Sequence, residues 1–462
     1  NENETIKYPT YEIFNYPDSV TNGQRGTWGI TQAKDGRMYF ANNAGVLMFD
    51  GTNWRIIQTE NALWARSITK DYEGHVVVGT FGDIGVIQPD SNKKIVYKSI
   101  VKNKKDLKDD VIYEIIPLAK KKYFLRTKPS LYIIENGIVS KIRTPKGFKF
   151  GTSHKVGKDI YLYVQKSGLF KISNKNLELV KGTENFNTKK KSIVYINKQG
   201  NSLKIVTRGS GIYVLKNNIA KKIIEKNLSF KSTKIYKGIK INDETHALAS
   251  YNGIFILNQN FKVIKHIAPD TGLFTENVRS LYYDNGGNLW AGLNLGIAKI
   301  RLDNSITFLD RKFSNINSNI NKVAVFNDKI YIASDRGILK SKYDEQTARQ
   351  TFHKILKEKL TTQIWSIIPS KENLFLASSE GIGKITKNDE YEQIVSKKDL
   401  GAVYVIEKSK ILNNILISGS RQGLTLVDIN SNNKFRKIDL GEKGAVWKLI
   451  ENQKENEVWV KI

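Results

Sequence analysis

A glycine returns along this chain at an almost constant interval, and that rhythm limits the fold more than any other feature. Gly45, Gly85, Gly168, Gly211, Gly253, Gly296, Gly337, Gly381 and Gly423 are separated by 40 to 44 residues, with one gap of 83. Each leads a short apolar run, as in Gly45-Val-Leu-Met-Phe and Gly296-Ile-Ala-Lys-Ile. Ahead of it come an apolar run, a turn ending in glycine (Gly36, Gly74, Gly200, Gly287) and a second apolar run. The long gap holds two units, one of them degenerate. Between 111 and 137, Pro129-Ser130-Leu131 stands in for the glycine-led strand. An eleventh unit starts at Val446-Trp447 and runs to Ile462.

The contents of each unit predict strands. Phe40, Val77, Ile205, Ile332, Leu376 and Ile417 sit in the middle of β-rich runs of about five residues. A period near 42 with about four short strands is the spacing of β-propeller blades. The fold class is therefore all-β, and the segment 340–360, which has some helical character, is expected to be an outer strand plus a linker. The turn glycines tolerate positive φ. The repeat glycine is expected to open the third strand, where a side chain would crowd the neighbouring blade. Asp71, Asn197 and Asp284 each precede a turn glycine by three residues. That register predicts Asx-type turn hydrogen bonds, not catalysis.

Composition removes several alternatives. The chain has 462 residues, 40% of them hydrophobic, enough for a large core. It contains no cysteine, which excludes disulfides, thiolate catalysis, iron–sulfur clusters and cysteine-ligated zinc. No apolar run reaches the roughly 18 residues of a membrane-spanning helix. The chain opens on Asn1, with Met38 and Met48 its only methionines, as a processed secretory protein or a cloned fragment would.

The units resemble the two-component-regulator propeller repeat, an apolar strand followed by a D-x-x-G turn, an aromatic-bearing second strand, a loop and a glycine-led third strand. Gly286-Gly287-Asn-Leu289-Trp290-Ala291-Gly292 and Gly36-Arg-Met38-Tyr39-Phe40-Ala41 are its nearest copies. The opening stretch from Arg25-Gly26-Thr27-Trp28 to Gly51-Thr-Asn-Trp54 looks like the first blade of the periplasmic sensor regions of Bacteroidetes regulators. The resemblance implies two seven-bladed propellers, an Ig-like triple-tyrosine domain, a membrane helix and a histidine kinase or helix-turn-helix output. On it, 1–311 is one complete seven-bladed β-propeller and 312–462 is an incomplete second one of about three and a half blades. A single ring of ten or eleven blades is the alternative. The strand region 8–16 is expected to help close a ring.

The same resemblance implies a non-catalytic, extracytoplasmic sensor of polysaccharide or nutrient supply, a homodimer at full length, with no cofactor, no metal and no nucleic-acid contact. A secreted binding scaffold, and a propeller polysaccharide lyase or glycosidase, remain the other readings. The five histidines, at 75, 154, 246, 266 and 353, form no ligand or catalytic pair in sequence. Gly209-Ser210-Gly211 resembles a nucleophile turn only weakly, since Gly211 is the repeat glycine.

Binding has better support. In a four-stranded antiparallel blade, the entry to strand one and the loop between strands two and three share an end. Those loops carry Arg25, Asn42, Asn43, Trp64, Arg66, Arg208, Tyr251, Asn252, Arg279 and Asn294. Amides, guanidinium groups and aromatic rings around one mouth suit an oligosaccharide, an acidic glycan or a partner protein. Trp28 and Trp290 are expected to be inter-blade core. The net charge of +29 favours an anionic partner, unless it reflects only the Lys-, Asn- and Ile-rich composition.

Overall fold

The computed structural model describes residues 11–462 apart from 61–63, 108–109, 174–175, 224–227, 303–317, 345–348, 357–359, 432–433 and 442–443. Strands dominate it. Ten four-stranded antiparallel sheets and one two-stranded sheet account for nearly all regular structure. Sheets 1 to 6 are simple meanders spanning 27–57, 67–99, 114–141, 150–179, 193–222 and 235–267. Sheet 7 takes three strands from 278–301 and its outer strand from Glu12–Tyr16. Sheets 8, 9 and 10 span 320–354, 364–396 and 403–438, and the two-stranded sheet spans 448–461. Such sheets are the kind from which propeller blades are made.

The repeat glycine is the first residue of the third strand at six of the nine positions and directly precedes it at Gly211 and Gly296, but not for the expected reason. Gly45 has φ +117°, and a Cβ there would stand 2.9 Å from the Ile57 carbonyl at the end of its own sheet's outer strand. A Cβ on Gly296 would likewise strike the Tyr16 carbonyl, because Glu12–Tyr16 is the outer strand of that sheet. Left-handed backbone and a close carbonyl, not the next blade, exclude a side chain. Gly85 is the exception. It lies inside the strand Ile84–Pro89, and Asp83 takes the opening position, its carbonyl accepting from Thr80 N–H at 2.9 Å. Ser130 does the same in the degenerate unit, accepting from Thr127 N–H at 3.0 Å.

Two of the three expected turns form. The Asp71 carboxylate accepts from the Glu73 and His75 N–H groups, both at 2.9 Å. The Asp284 carboxylate accepts from Gly286 N–H at 2.9 Å and Asn288 N–H at 2.8 Å. Asn197 instead lies within the strand Ile193–Gln199. The 340–360 segment divides between the third strand Gly337–Asp344 and the outer strand Arg349–Lys354, with its remainder partly outside the described residues.

One unit comprises Thr10–Phe308 and Glu345–Arg349. Its middle strands are buried on both faces. In sheet 1, Tyr39, Ala41, Val46 and Met48 pack with Ala65, Val76, Val78 and Ile87 of sheet 2. The alternate residues Met38, Phe40, Leu47 and Phe49 pack with Trp290 and Ile297 of sheet 7. Period-two alternation thus serves two neighbours, not core and solvent. The first strand of each sheet from 1 to 7 touches the first strand of the next, and that of sheet 7 touches that of sheet 1. Trp290 seals this last junction. Its indole N–H donates to Asp284 at 2.7 Å, and its ring lies 5.6 Å from Phe40, 5.8 Å from Phe49 and 6.2 Å from Tyr16.

The other unit comprises Asn1–Pro9, Leu309–Asp344 and Gln350–Ile462, of which residues 1–9 lie outside the described part. Sheets 8 to 10 and the two-stranded sheet pack in chain order. Both ends of this stack expose apolar side chains: Ile320, Val323 and Val325 at one, Trp447, Ile450 and Trp459 at the other. The expected strand at 8–16 is present from Glu12, pairing antiparallel with Ile297–Arg301, while 8–10 lie outside the described residues.

Removing residues 11–17 should bare the edge of Ile297–Arg301 and uncover Trp290. The truncated chain is expected to melt lower and to elute partly as aggregate in size-exclusion chromatography. Trp290→Ala should cost about 3–5 kcal/mol in the first unfolding transition in urea; a loss below about 1 kcal/mol would contradict the sealing role.

Candidate functional site

The first strand of most sheets carries a β-bulge near its start. Pairing skips Trp28 in sheet 1, Val194 in sheet 5, Tyr236 in sheet 6 and Arg279 in sheet 7. In sheet 4 it skips Gly151 and Thr152. Arg66 and Tyr113 hold the matching place at the entry to sheets 2 and 3, where their N–H groups donate to Gly79 and Arg126 carbonyls at 2.9 Å. A bulge turns a side chain out of the pleat. Here it brings side chains from different sheets together.

The result is a chain of cations and rings. The Arg66 guanidinium lies 3.5 Å from the Trp28 ring centroid and 5.0 Å from that of Tyr113. Arg126 and Lys128 reach Tyr113 from the other side, at 5.4 and 5.3 Å. Arg279 lies 5.8 Å from Trp28 and 4.6 Å from Tyr236, and Arg208 lies 5.2 Å from Tyr236. The arc passes through sheets 3, 2, 1, 7, 6 and 5; among the described residues sheet 4 adds no cation or ring to it. Cation–π contact of this kind holds a guanidinium flat against a ring.

Trp28 is held in turn. Its indole N–H donates to Asn43 Oδ1 at 2.8 Å, and Asn43 Nδ2 donates to the Arg25 carbonyl at 2.5 Å. Burial, together with the nearby Arg126 and Arg279 charges, pulls the Arg66 guanidinium down to about 10. It stays charged at neutral pH. Among the described residues, Arg66 Nη1 and Arg279 Nε are buried without a hydrogen-bond partner.

Beside the arc, Arg126 Nε donates to Glu114 at 2.8 Å, and Ser153 donates to the same carboxylate from N at 2.6 Å and Oγ at 2.5 Å. Burial acts to raise the Glu114 carboxyl, but Arg126, His154 and Ser153 outweigh it and hold it below the usual range. Burial lowers His154 to about 4, and its Nε2 meets Thr152 Oγ1 at 2.9 Å. Lys237 of sheet 6 is lowered by burial and feels the Glu114 charge of sheet 3.

Of the residues singled out in sequence, Arg66, Arg208 and Arg279 enter the arc, and Asn43 and Arg25 brace Trp28. Asn42 is fully buried and serves structure, with Nδ2 donating to the Gln24 carbonyl at 2.8 Å. Asn294 joins through its backbone, its carbonyl accepting from Gly26 N–H at 3.0 Å. The Asn252 carbonyl meets His266 Nε2 at 2.6 Å. Tyr251 is exposed and Trp64 half-buried, and no ring or cation contact ties either to the arc among the described residues. Trp290 is core as expected, but Trp28 belongs to the arc. Tyr113, Arg126, Lys128 and Tyr236 were not singled out. A signal existed: Trp28, Tyr236 and Arg279 each stand seventeen residues ahead of a repeat glycine.

Asp71, Glu73 and His75 also bring ligand-capable atoms together in sheet 2. Their oxygens are already engaged. Asp71 closes its turn and accepts from Tyr123 O–H at 2.9 Å, and Glu73 pairs with Lys120 at 2.8 Å. The arrangement serves the turn and fits a metal poorly.

Two buried histidines set an acid limit. Burial lowers His246, whose Nδ1 meets Tyr195 O–H at 3.0 Å, to about 4, as it does His154. An unfolded chain protonates histidine near pH 6.5, so between there and pH 4 unfolding takes up protons and acid favours it. The melting temperature is expected to fall as pH drops through that window. His246→Asn should flatten the slope by the share of one histidine, on the order of 2–3 kcal/mol; an unchanged slope would refute the assignment.

No protein-family model matches the sequence, and no curated protein does either. Solved structures do match. A structure from B. thetaiotaomicron, described as the extracellular domain of a hybrid two component system, aligns with 97% of this chain at TM-score 0.65 and 17% identity. The chain spans 64% of that structure's length. A second B. thetaiotaomicron structure, described as the extracellular domain of a one component system, aligns with 98% of this chain at TM-score 0.49 and 14% identity. YCF48 bound to D1 peptide aligns with 65% of this chain at TM-score 0.51 and 10% identity. Among the described residues no helix is long and apolar enough to cross a membrane. Over nearly its whole length, then, the chain shares its fold with the extracellular domain of a hybrid two component system.

Proposed function

We propose that this chain is the extracytoplasmic, ligand-binding region of a membrane-bound signal-transduction regulator and has no catalytic activity of its own. The fold shared over 97% of the chain with such an extracellular domain carries the reading. In it, 1–311 is a complete seven-bladed propeller, and the closed cycle of first strands in sheets 1 to 7 supports that count. The segment 312–462 is the first part of a second propeller, and the apolar side chains exposed at both ends of its stack support it. The ligand is an oligosaccharide, an acidic glycan or a periplasmic partner protein. Its binding shifts the placement of the propellers and of a downstream triple-tyrosine domain and membrane helix, and the shift is the signal.

Calorimetry with plant and host polysaccharide digests, paired with chromatography of the same mixtures, tests this. Saturable binding without new products is expected. Turnover of a glycan, abolished by one acid or histidine substitution, would make the chain an enzyme and overturn the reading.

A further inference from the structure

We propose that Arg66, Arg279 and Arg208 form an oxyanion site that takes the carboxylate or sulfate group of the ligand. The inference rests on the sensor reading only in making the occupant a ligand and not a substrate.

None of the three guanidinium groups has a carboxylate partner among the described residues. Three arginines elsewhere have one: Arg126 pairs with Glu114 at 2.8 Å, Arg301 with Glu12 at 2.6 Å and Arg37 with Asp35 at 3.4 Å. The acid beside the arc, Glu114, takes Arg126 and Ser153 on its Oε2. It neutralises Arg126 and leaves Arg66 and Arg279 uncompensated. Both of these bury an N–H that has no hydrogen-bond partner among the described residues, Arg66 at Nη1 and Arg279 at Nε. A buried donor is ordinarily paired, so each orphan marks a place for an acceptor.

Both arginines share one neighbour: their guanidinium groups stand 3.5 and 5.8 Å from the Trp28 ring centroid. Trp28 is locked by Asn43, so the forks are fixed before a ligand arrives and little rotamer freedom is lost on binding. The two like charges repel in a poorly solvated place, where burial and the nearby Arg279 charge lower the Arg66 guanidinium. An anion between them converts that repulsion into two charge-assisted hydrogen-bonded pairs. Tyr113 and Tyr236 continue the arc on either side, and Arg208 extends it beyond Tyr236. A net charge of +29 draws anions toward the mouth.

The test is calorimetry and thermal shift on the chain with three probes: sodium sulfate, a trigalacturonate and a neutral trisaccharide of the same length. The proteins are the wild type, Arg66→Gln/Arg279→Gln, and Arg301→Gln as a surface control. Wild type and control should bind trigalacturonate or sulfate saturably and melt higher with it. The double variant should bind at least about thirtyfold more weakly. Which probe binds tells carboxylate from sulfate. Circular dichroism checks that the variant folds. If it does not, Arg208→Gln and Arg279→Lys, which keep the Trp28 stack, should each still weaken the anion. Anion binding equal in wild type and double variant, or none to any protein, overturns the site. Neutral sugar bound alone would defeat it and spare the sensor reading, whereas anion binding at the arc accompanied by cleavage would spare the site and defeat that reading.

Discussion

Each four-stranded sheet in this chain has two apolar faces and can bury neither by itself. That constraint organises the first unit. Sheet 1 sends Tyr39, Ala41, Val46 and Met48 one way and Met38, Phe40, Leu47 and Phe49 the other, so it needs a neighbour on each side. Seven sheets meet the need by touching in a cycle. The junction of last with first is also where the chain closes covalently distant ends, because Glu12–Tyr16 completes the sheet begun at Val278. The aromatic cluster around Trp290 then joins residues from the N-terminal strand, sheet 1 and sheet 7. A ring shut in this way holds its first strands in fixed relation, and the arginine–aromatic arc depends on that. A displacement of one sheet by a few ångströms would separate Arg66 from Trp28 or Arg279 from Tyr236.

Much of this was legible in the sequence, and the parts that were not have physical reasons. The glycine interval counts units correctly because left-handed backbone at the opening of the third strand admits almost nothing else. It misplaced one opening, at Gly85, because Asp83 reaches the same hydrogen bond without positive φ. Asp71 and Asp284 were readable as turn formers, since an Asx turn is local. The arc was only half readable. Arg66, Arg208 and Arg279 were visible as cations on the correct loops. Trp28 reads as core in the sequence because a tryptophan near a strand start fits either role, and a bulge decides between them. A bulge is a property of pairing, and one strand's sequence does not announce its partner's register. Tyr236 shares the seventeen-residue spacing with Trp28, but that spacing marks a place in the repeat and not the direction of a side chain.

The bulge register carries different chemistry in the two units. In the first it places arginines against rings. In the second, pairing skips Asn321, Trp365 and Tyr404. Trp365 lies 5.0 Å from Tyr404, edge to face, and Tyr404 stacks on Trp447 at 3.9 Å, so rings meet rings with no guanidinium between them. The backbone device is the same, and only the residue it turns outward has changed. Trp28 stands outside the apolar clusters that join sheet 1 to its neighbours, whereas Phe40 and Trp290 belong to one of them. The residues turned out by the bulges and those of the inter-sheet core thus sit on separate positions of the same strands, and the glycine rhythm reveals only the second.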